Sequence, residues 1–92
     1  MGIRYRPRAE RDLIDIADYL LARNPPAARS VRDAILHTID LVADFPELGV
    51  RVDEGVRRIV VGRYGYRIYY EVDEAKREIV VTTIRHSRRQ PL

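Results

Sequence analysis

The C-terminal part of the sequence places a histidine among arginines. His86 directly follows Arg85, and Arg88 and Arg89 come two and three positions later. A histidine at a strand end inside a basic patch can act as general acid or base on a phosphodiester, while guanidinium groups hold the phosphate. A histidine that merely faces solvent at the end of an element is the competing interpretation, and the sequence leaves both open.

A tyrosine-rich segment over residues 64–72 is the second candidate site. Side chains of a strand alternate between its two faces, so every second residue should face a core. Arginine beside tyrosine can hold a phosphate and stack a base, as in single-stranded RNA recognition. Cross-strand pairing on a solvated face is the alternative. The alternation assigns Tyr66, Ile68, Tyr70 and Val72 to the core side, and Arg67, Tyr69 and Glu71 to the open side.

Other kinds of catalytic site are not predicted. Asp12, Asp15 and Asp18 follow one another at helical spacing, but they alternate with arginines, which is typical of a solvated helix face rather than a metal site. His37 lies off the apolar stripe of its helix and is predicted to be a surface residue. The sequence has no cysteine, no Gly-rich phosphate loop, and no HExxH or G-x-S-x-G motif, so we expect neither a metal nor a cofactor.

The elements that must position these residues follow from the apolar spacing. An alternating strand over residues 3–6 ends at Pro7, and an amphipathic helix is predicted over residues 8–23. Asn24, Pro25 and Pro26 break that helix and cap the next one, predicted over residues 27–45. The second helix should bury the stripe Val31, Ile35, Thr38, Val42 and Phe45.

Three strands are predicted after a mostly irregular connection over residues 46–56. They cover residues 57–61, 64–72 and 78–85, with a two-residue turn at Gly62-Arg63 and a polar loop over residues 73–77. The order β-α-α-β-β-β predicts a single α+β domain over residues 1–92, an antiparallel sheet with a helical hairpin packed on one face. The first strand should join an edge or pair with the last strand, because its backbone groups need partners.

Charge is distributed unevenly along the chain. Residues 1–46 carry seven basic and seven acidic side chains, whereas residues 47–92 carry ten basic and seven acidic. The net charge of +3 therefore comes from the second half, and all but one of the seventeen basic residues, Lys76, are arginine. Arginine favours bidentate contacts to phosphate or carboxylate, although a coding bias towards arginine accounts for the excess equally well. With no signal peptide and no apolar membrane span, we expect a cytoplasmic protein that binds no membrane.

The order of motifs resembles the RelE/ParE toxin superfamily of bacterial type II toxin-antitoxin systems over nearly the whole chain. The segments that carry the resemblance are Asp12-Leu13-Ile14-Asp15-Ile16-Ala17-Asp18-Tyr19-Leu20, Phe45-Pro46-Glu47-Leu48-Gly49, Gly55-Val56-Arg57, Tyr66-Arg67-Ile68-Tyr69-Tyr70 and Ile84-Arg85-His86-Ser87-Arg88-Arg89. The likeness is closer to the ParE branch, whose members block DNA gyrase and trap broken DNA. It implies a target-binding surface made of Arg67, Tyr69, Arg85, His86, Arg88 and Arg89.

The RelE branch is the alternative, and its members cut mRNA on the ribosome. Such a nuclease would use Arg67, Arg85 and His86 as catalytic residues, but the lysine-rich surface usual for that branch is absent. A ParE-like toxin would perform no hydrolysis itself, and its arginines would contact gyrase or DNA phosphate. A non-toxic binding module with the same fold is the third hypothesis.

The resemblance also implies an antitoxin partner and a toxin-antitoxin hetero-oligomer. The disordered C-terminal segment of such an antitoxin folds onto its toxin. The groove of the helical hairpin offers one surface for it, with Leu13, Ile16 and Leu20 as the expected contacts. The edge of the sheet offers another, where an extended peptide can add a strand and where acidic residues would neutralise arginines.

Overall fold

Two helices form a hairpin after the first strand. In the computed structural model, which describes residues 1–88, α1 spans Pro7–Arg23 and α2 spans Pro25–Asp44. Each begins with proline, whose missing N–H costs nothing in the first turn. The side-chain oxygen of Asn24 accepts a hydrogen bond from the N–H of Ala27 at 3.2 Å, which confirms the predicted cap.

Five strands form one sheet beneath the hairpin. They are β1 (Gly2–Tyr5), β2 (Val50–Asp53), β3 (Val56–Val61), β4 (Tyr66–Asp73) and β5 (Glu78–His86), in the spatial order β1-β5-β4-β3-β2. The α+β class, the helical hairpin and the pairing of the first strand with the last are confirmed. The fully antiparallel sheet is wrong, because β1 runs parallel to β5. The α1–α2 hairpin is the covalent connection between β1 and the other strands. Apolar alternation within β1 does not indicate the direction in which this strand runs.

Two connections differ from the sequence prediction. Residues 46–56 contain the strand β2, all four residues of which are exposed, so its backbone pairing with β3 leaves no buried apolar pattern to detect. The turn between β3 and β4 is not a two-residue hairpin. A short 3₁₀ helix over Gly62–Tyr64 is followed by Gly65 in the left-handed conformation, with φ of 75°. The longer connection makes β4 begin at Tyr66 rather than at residue 64.

The core lies between the hairpin and the inner face of the sheet. From α2 it takes Val31, Ile35, Ile39 and Val42, so Ile39 replaces the predicted Thr38, and Phe45 is exposed. These four residues keep the helical phase that faces the sheet, whereas Phe45 lies beyond the end of α2. Within residues 1–88, no helix is long and apolar enough to cross a membrane.

The tyrosine at the centre of β4 anchors the turn after α2. The buried hydroxyl of Tyr70 donates to the carbonyl of Pro46 at 2.7 Å and accepts from the N–H of Gly49 at 2.9 Å. Arg57 donates to the carbonyl of Gly49 at 2.8 Å. Burial raises the pKa of the Tyr70 hydroxyl, and the Gly49 hydrogen bond and the Arg57 charge offset part of that rise. This network fixes the path of the chain into β2.

Candidate target-binding face

The face of the sheet opposite the helices carries the predicted arginine and tyrosine side chains. Tyr66, Ile68 and Tyr70 are buried in the core, so the alternation predicted for β4 is confirmed. Arg67 and Tyr69 lie on the other side, which we call the open face. Neighbouring strands supply the rest of this face through their register with β4.

Cross-strand register groups the arginines around one tyrosine. Arg67 on β4 lies opposite Arg85 on β5, and Tyr69 lies opposite Arg58 on β3. The guanidinium carbon of Arg85 is 5.9 Å from the centroid of the Tyr69 ring, at the limit of a cation–π contact. Like charges directly opposite each other destabilise a sheet, so Arg67 and Arg85 form a pair that an anion would stabilise.

The open face is divided by charge into two ends. Near β1, Arg4 pairs with Asp73 and Glu78, and Arg6 pairs with Glu71 at 3.0 Å. Near the start of β4 the arginines Arg58, Arg67 and Arg85 have no such partners: among the described residues, none has a carboxylate oxygen within 4.0 Å. These three guanidinium groups therefore form no ion pair within residues 1–88.

A shallow trough of about 390 Å³ lies across this positive end. Its floor and walls come from β2, β3, β4 and β5. The lining residues, which define the arginine trough, are Val52, Asp53, Val56, Arg58, Tyr69, Thr82, Thr83 and Arg85. Small-ligand sites occupy about 300–1,000 Å³, so the arginine trough is large enough for one small group rather than for a protein domain.

A bulge in β5 and a carboxylate from α1 set the position of this strand. The register of β5 shifts opposite Tyr69 and Tyr70, and the hydroxyl of Thr82 donates to the carbonyl of Tyr69 at 3.1 Å. The buried carboxylate of Asp12 accepts from the hydroxyl of Thr83 at 2.7 Å and from the N–H of Ile84 at 2.9 Å. β1 pairs with β5 only as far as residue 81, so Asp12 satisfies a strand edge that β1 does not reach.

His86 lies on the opposite face from the arginines. It is paired with the buried Tyr66, and the two rings meet edge to face with centroids 4.8 Å apart. Its Nδ1 accepts a hydrogen bond from the N–H of Arg88 at 3.1 Å. The structure thus brings Arg67, Tyr69 and Arg85 together but places His86 away from them. Arg88 is exposed in the tail, and Arg89 lies outside the described residues.

The predicted contacts for a partner helix are only partly accessible. Leu13 and Ile16 line an apolar groove between α1 and α2, but Ile16 is buried in the core and Leu20 is not among the groove residues. Residues outside the predicted set contribute more surface: Ile14 is 60% exposed and Leu36 is 36% exposed. The complete lining is Leu13, Ile14, Ile16, Ala17, Ala28, Arg32, Ile35 and Leu36.

Two site residues could not be selected from the sequence. Arg58 stands in a strand with no clear alternation, Arg-Arg-Ile-Val-Val, so its face depends on the register with β4. Asp12 was grouped with Asp15 and Asp18 as solvated, but only Asp12 is buried. Within residues 1–88, no cluster of three or more His, Cys, Asp or Glu side chains is arranged to hold a metal ion.

The same fold is found in solved structures of toxin-antitoxin systems. The chromosomal ParDE toxin-antitoxin system from P. aeruginosa contains a chain that superposes with a TM-score of 0.79 at 20% identity, covering 94% of this chain and 95% of that one. The intact E. coli RelBE toxin-antitoxin complex gives a TM-score of 0.70 at 18% identity, covering 96% and 98%. This chain therefore shares its fold with a chain of each of these two toxin-antitoxin assemblies.

Sequence comparison identifies the family to which this chain belongs. The family model for the ParE toxin of the type II toxin-antitoxin system parDE matches residues 3–91. Toxin RelE3 of Caulobacter vibrioides is 37% identical over 83 residues, which is 88% of each chain. The chain belongs to the ParE toxin family, as a type II toxin-antitoxin toxin, and the superfamily resemblance drawn from the sequence is confirmed.

Proposed function

We propose that this toxin arrests bacterial growth in the cytoplasm by poisoning DNA gyrase, and that it does so through the positive end of its open face. The match to the ParE family model supports this target. The observation that carries the proposal is the cluster of Arg58, Arg67 and Arg85, none of which forms an ion pair with a described carboxylate. Such a cluster binds phosphate or an acidic protein surface without any chemistry of its own.

A ribosome-dependent mRNA endonuclease is the second candidate. The relative named Toxin RelE3 favours it, as does the pairing of Arg67 with Arg85, which suits a scissile phosphate. Cleavage also needs a group that moves a proton beside that phosphate. His86 was predicted for this role, but it packs on Tyr66, on the face of the sheet opposite the arginines. The geometry therefore supports binding better than hydrolysis.

We further propose that a cognate antitoxin neutralises the toxin in a hetero-oligomer. The groove between α1 and α2 is almost wholly apolar and leaves Ile14 and Leu36 exposed, which suits the apolar face of an amphipathic helix. The exposed edge strand β2 offers backbone groups for an added strand.

Expression of the chain alone in bacteria tests the target. A gyrase poison should arrest growth and induce DNA-damage signalling, whereas an endonuclease should arrest growth with codon-phased cuts in mRNA. Growth without arrest would favour a non-toxic binding module. Co-expression with the product of the adjacent open reading frame should restore growth and yield a purifiable complex; failure on both counts would count against neutralisation by that protein.

A further inference from the structure

Two arginine nitrogens on the open face are buried without a hydrogen-bond acceptor. Within residues 1–88, the Nε atoms of Arg58 and Arg85 are the side-chain atoms with this property, and both residues line the arginine trough. A buried donor without a partner is costly, so native proteins rarely keep one unless something outside the chain satisfies it. Both residues are partly exposed, so an anion that draws their guanidinium groups towards the arginine trough would supply the missing acceptor.

The two threonine hydroxyl groups do not supply further donors. The Thr82 hydroxyl proton is directed to the carbonyl of Tyr69, and the Thr83 hydroxyl proton is directed to Asp12. The remaining donors of the arginine trough are the Tyr69 hydroxyl and the two guanidinium groups, each of which matches the oxygens of a phosphate. This donor set selects an anion.

Besides the arginines, the threonines and the carboxylate of Asp53, the arginine trough is lined by two valines and one tyrosine. Val52 and Val56 form one wall, and the ring of Tyr69 lies between Arg58 and Arg85. A tyrosine ring beside arginines is a platform on which a nucleic-acid base can stack. An anion that also carries a flat aromatic group fits both parts, whereas inorganic phosphate or an acidic peptide would use only the arginines.

We propose that the arginine trough holds one unstacked nucleotide of single-stranded DNA, with a phosphate on Arg58 and Arg85 and its base against Tyr69. A base inside a duplex is covered by its neighbours and cannot reach the ring, so the strand must be open or the nucleotide extruded. This inference deepens the proposed function, on which it rests for the identity of the nucleic acid, because it makes opened DNA part of the toxin's target.

Fluorescence anisotropy with a short labelled single-stranded DNA tests the proposal on the full chain made by cell-free synthesis. Arg58→Ala and Arg85→Ala should each weaken binding about tenfold or more and lower the slope of log K against log salt by about 0.7–1. Arg29→Ala is the matched control: this exposed arginine on α2 lies on the other side of the sheet, and its loss should change binding less than about twofold.

An abasic site in the DNA isolates the base contact. Tyr69→Ala should weaken binding of normal single-stranded DNA by about fivefold or more with the salt slope unchanged. A strand with abasic sites throughout should bind the wild type as weakly as normal single-stranded DNA binds Tyr69→Ala. Its affinity should not fall further when Tyr69→Ala replaces the wild type. Thermal unfolding checks that the variants fold, and Arg85→Lys provides a variant that keeps the charge but loses the planar guanidinium fork.

Several outcomes would overturn the proposal. They are equal affinity for duplex and single strand, equal affinity for normal and abasic strands, or equally effective competition by polyglutamate. If single-stranded DNA binds as described but gyrase is not poisoned, the proposed function fails while this inference stands. If gyrase is poisoned without binding of single-stranded DNA, the inference fails and the function stands.

Discussion

The carboxylate of Asp12 on α1 accepts a hydrogen bond from the hydroxyl of Thr83 on β5 at 2.7 Å. The same oxygen accepts from the N–H of Ile84, and the other oxygen accepts from Nε of Arg8 at 3.2 Å. Asp12 is only 4% exposed, and its neighbour Leu13 lines the helical groove while Thr83 lines the arginine trough. One buried side chain thus joins the two surfaces on which partner and target binding are proposed.

Loss of the Asp12 carboxylate should destabilise the fold. Asp12→Ala leaves the Thr83 hydroxyl and the Ile84 N–H without an acceptor, so we expect the free energy of unfolding to fall by about 2–3 kcal/mol. Urea unfolding followed by circular dichroism measures the change. Asp15→Ala on the same helix is the control, since Asp15 is exposed and should cost less than about 0.5 kcal/mol. Equal effects of the two substitutions would contradict the assigned role.

An alanine at position 49 should be poorly tolerated for reasons of space alone. A Cβ atom on Gly49 would lie 2.7 Å from the Tyr70 hydroxyl and 2.9 Å from the carbonyl oxygen of Arg58. Gly49→Ala is expected to lower the thermal unfolding midpoint, at a cost of about 1–3 kcal/mol. Tyr70→Phe in the same chain should not restore stability, because the backbone clash at Arg58 remains. Recovery in the double variant would show that the hydroxyl alone sets the limit.

Stability should decline at alkaline pH because of two tyrosines. Burial raises the pKa of Tyr70 and of Tyr5, with Asp40 adding to the rise at Tyr5, so the folded chain holds these protons more tightly than the unfolded chain does. Their contribution is complete below the ordinary pKa of about 10 and is lost as pH rises through the folded values. Denaturant unfolding at about pH 9 and about pH 11 measures the loss, which should be smaller in Tyr5→Phe/Tyr70→Phe. An equal loss of stability in the double variant and the wild type would contradict this assignment.

The helical groove should bind the antitoxin through its exposed apolar side chains. Ile14→Glu and Leu36→Glu place a charge in the groove without disturbing the core, so we expect each to weaken antitoxin binding by about tenfold or more at unchanged stability. Isothermal titration with the product of the adjacent open reading frame measures the affinity. Leu21→Glu is the control, because Leu21 is 55% exposed on α1 but outside the groove. A control variant that weakens binding equally would place the contact elsewhere on the helix.

His86 separates the two target hypotheses in living cells. A gyrase poison that acts through the open face should lose toxicity in Arg67→Ala and Arg85→Ala but keep most of it in His86→Gln, because His86 faces Tyr66. Colony counts after induction measure toxicity, with immunoblots to show equal amounts of protein. Loss of toxicity in His86→Gln together with mRNA cleavage by the wild type would favour the nuclease. If all three variants remain fully toxic, the predicted target-binding surface is wrong.

The spacing of apolar residues predicted the helices and the two faces of β4, because residues that are buried at regular intervals are apolar at the same intervals. The buried Tyr66, Ile68 and Tyr70 alternate with Arg67 and Tyr69, so the open face could be predicted residue by residue. The residues that neighbouring strands contribute to this face could not be predicted, because they depend on the register between strands. Arg58 reaches the arginine trough only through its pairing with Tyr69, and His86 turns away from Arg85 because adjacent strand residues face opposite sides.

Tertiary contacts without periodicity could not be predicted from the sequence. β2 is held by backbone pairing while its side chains stay exposed, and the parallel direction of β1 depends on how the hairpin crosses the sheet. In the sequence, the buried Asp12 cannot be distinguished from the solvated Asp15 and Asp18. Its contacts with Thr83 and Ile84 of β5 distinguish it in the structure. Its environment is made by residues more than 70 positions away along the chain.

Gyrase-dependent cleavage of supercoiled plasmid tests the central claim most directly. Purified gyrase, ATP and the wild-type chain should accumulate linear DNA after denaturation and proteolysis. Arg67→Ala and Arg85→Ala should accumulate much less at the same concentration, and Arg29→Ala should match the wild type. Absence of linear DNA with the folded wild-type chain, together with cleavage of mRNA on ribosomes by the same preparation, would contradict the proposed target.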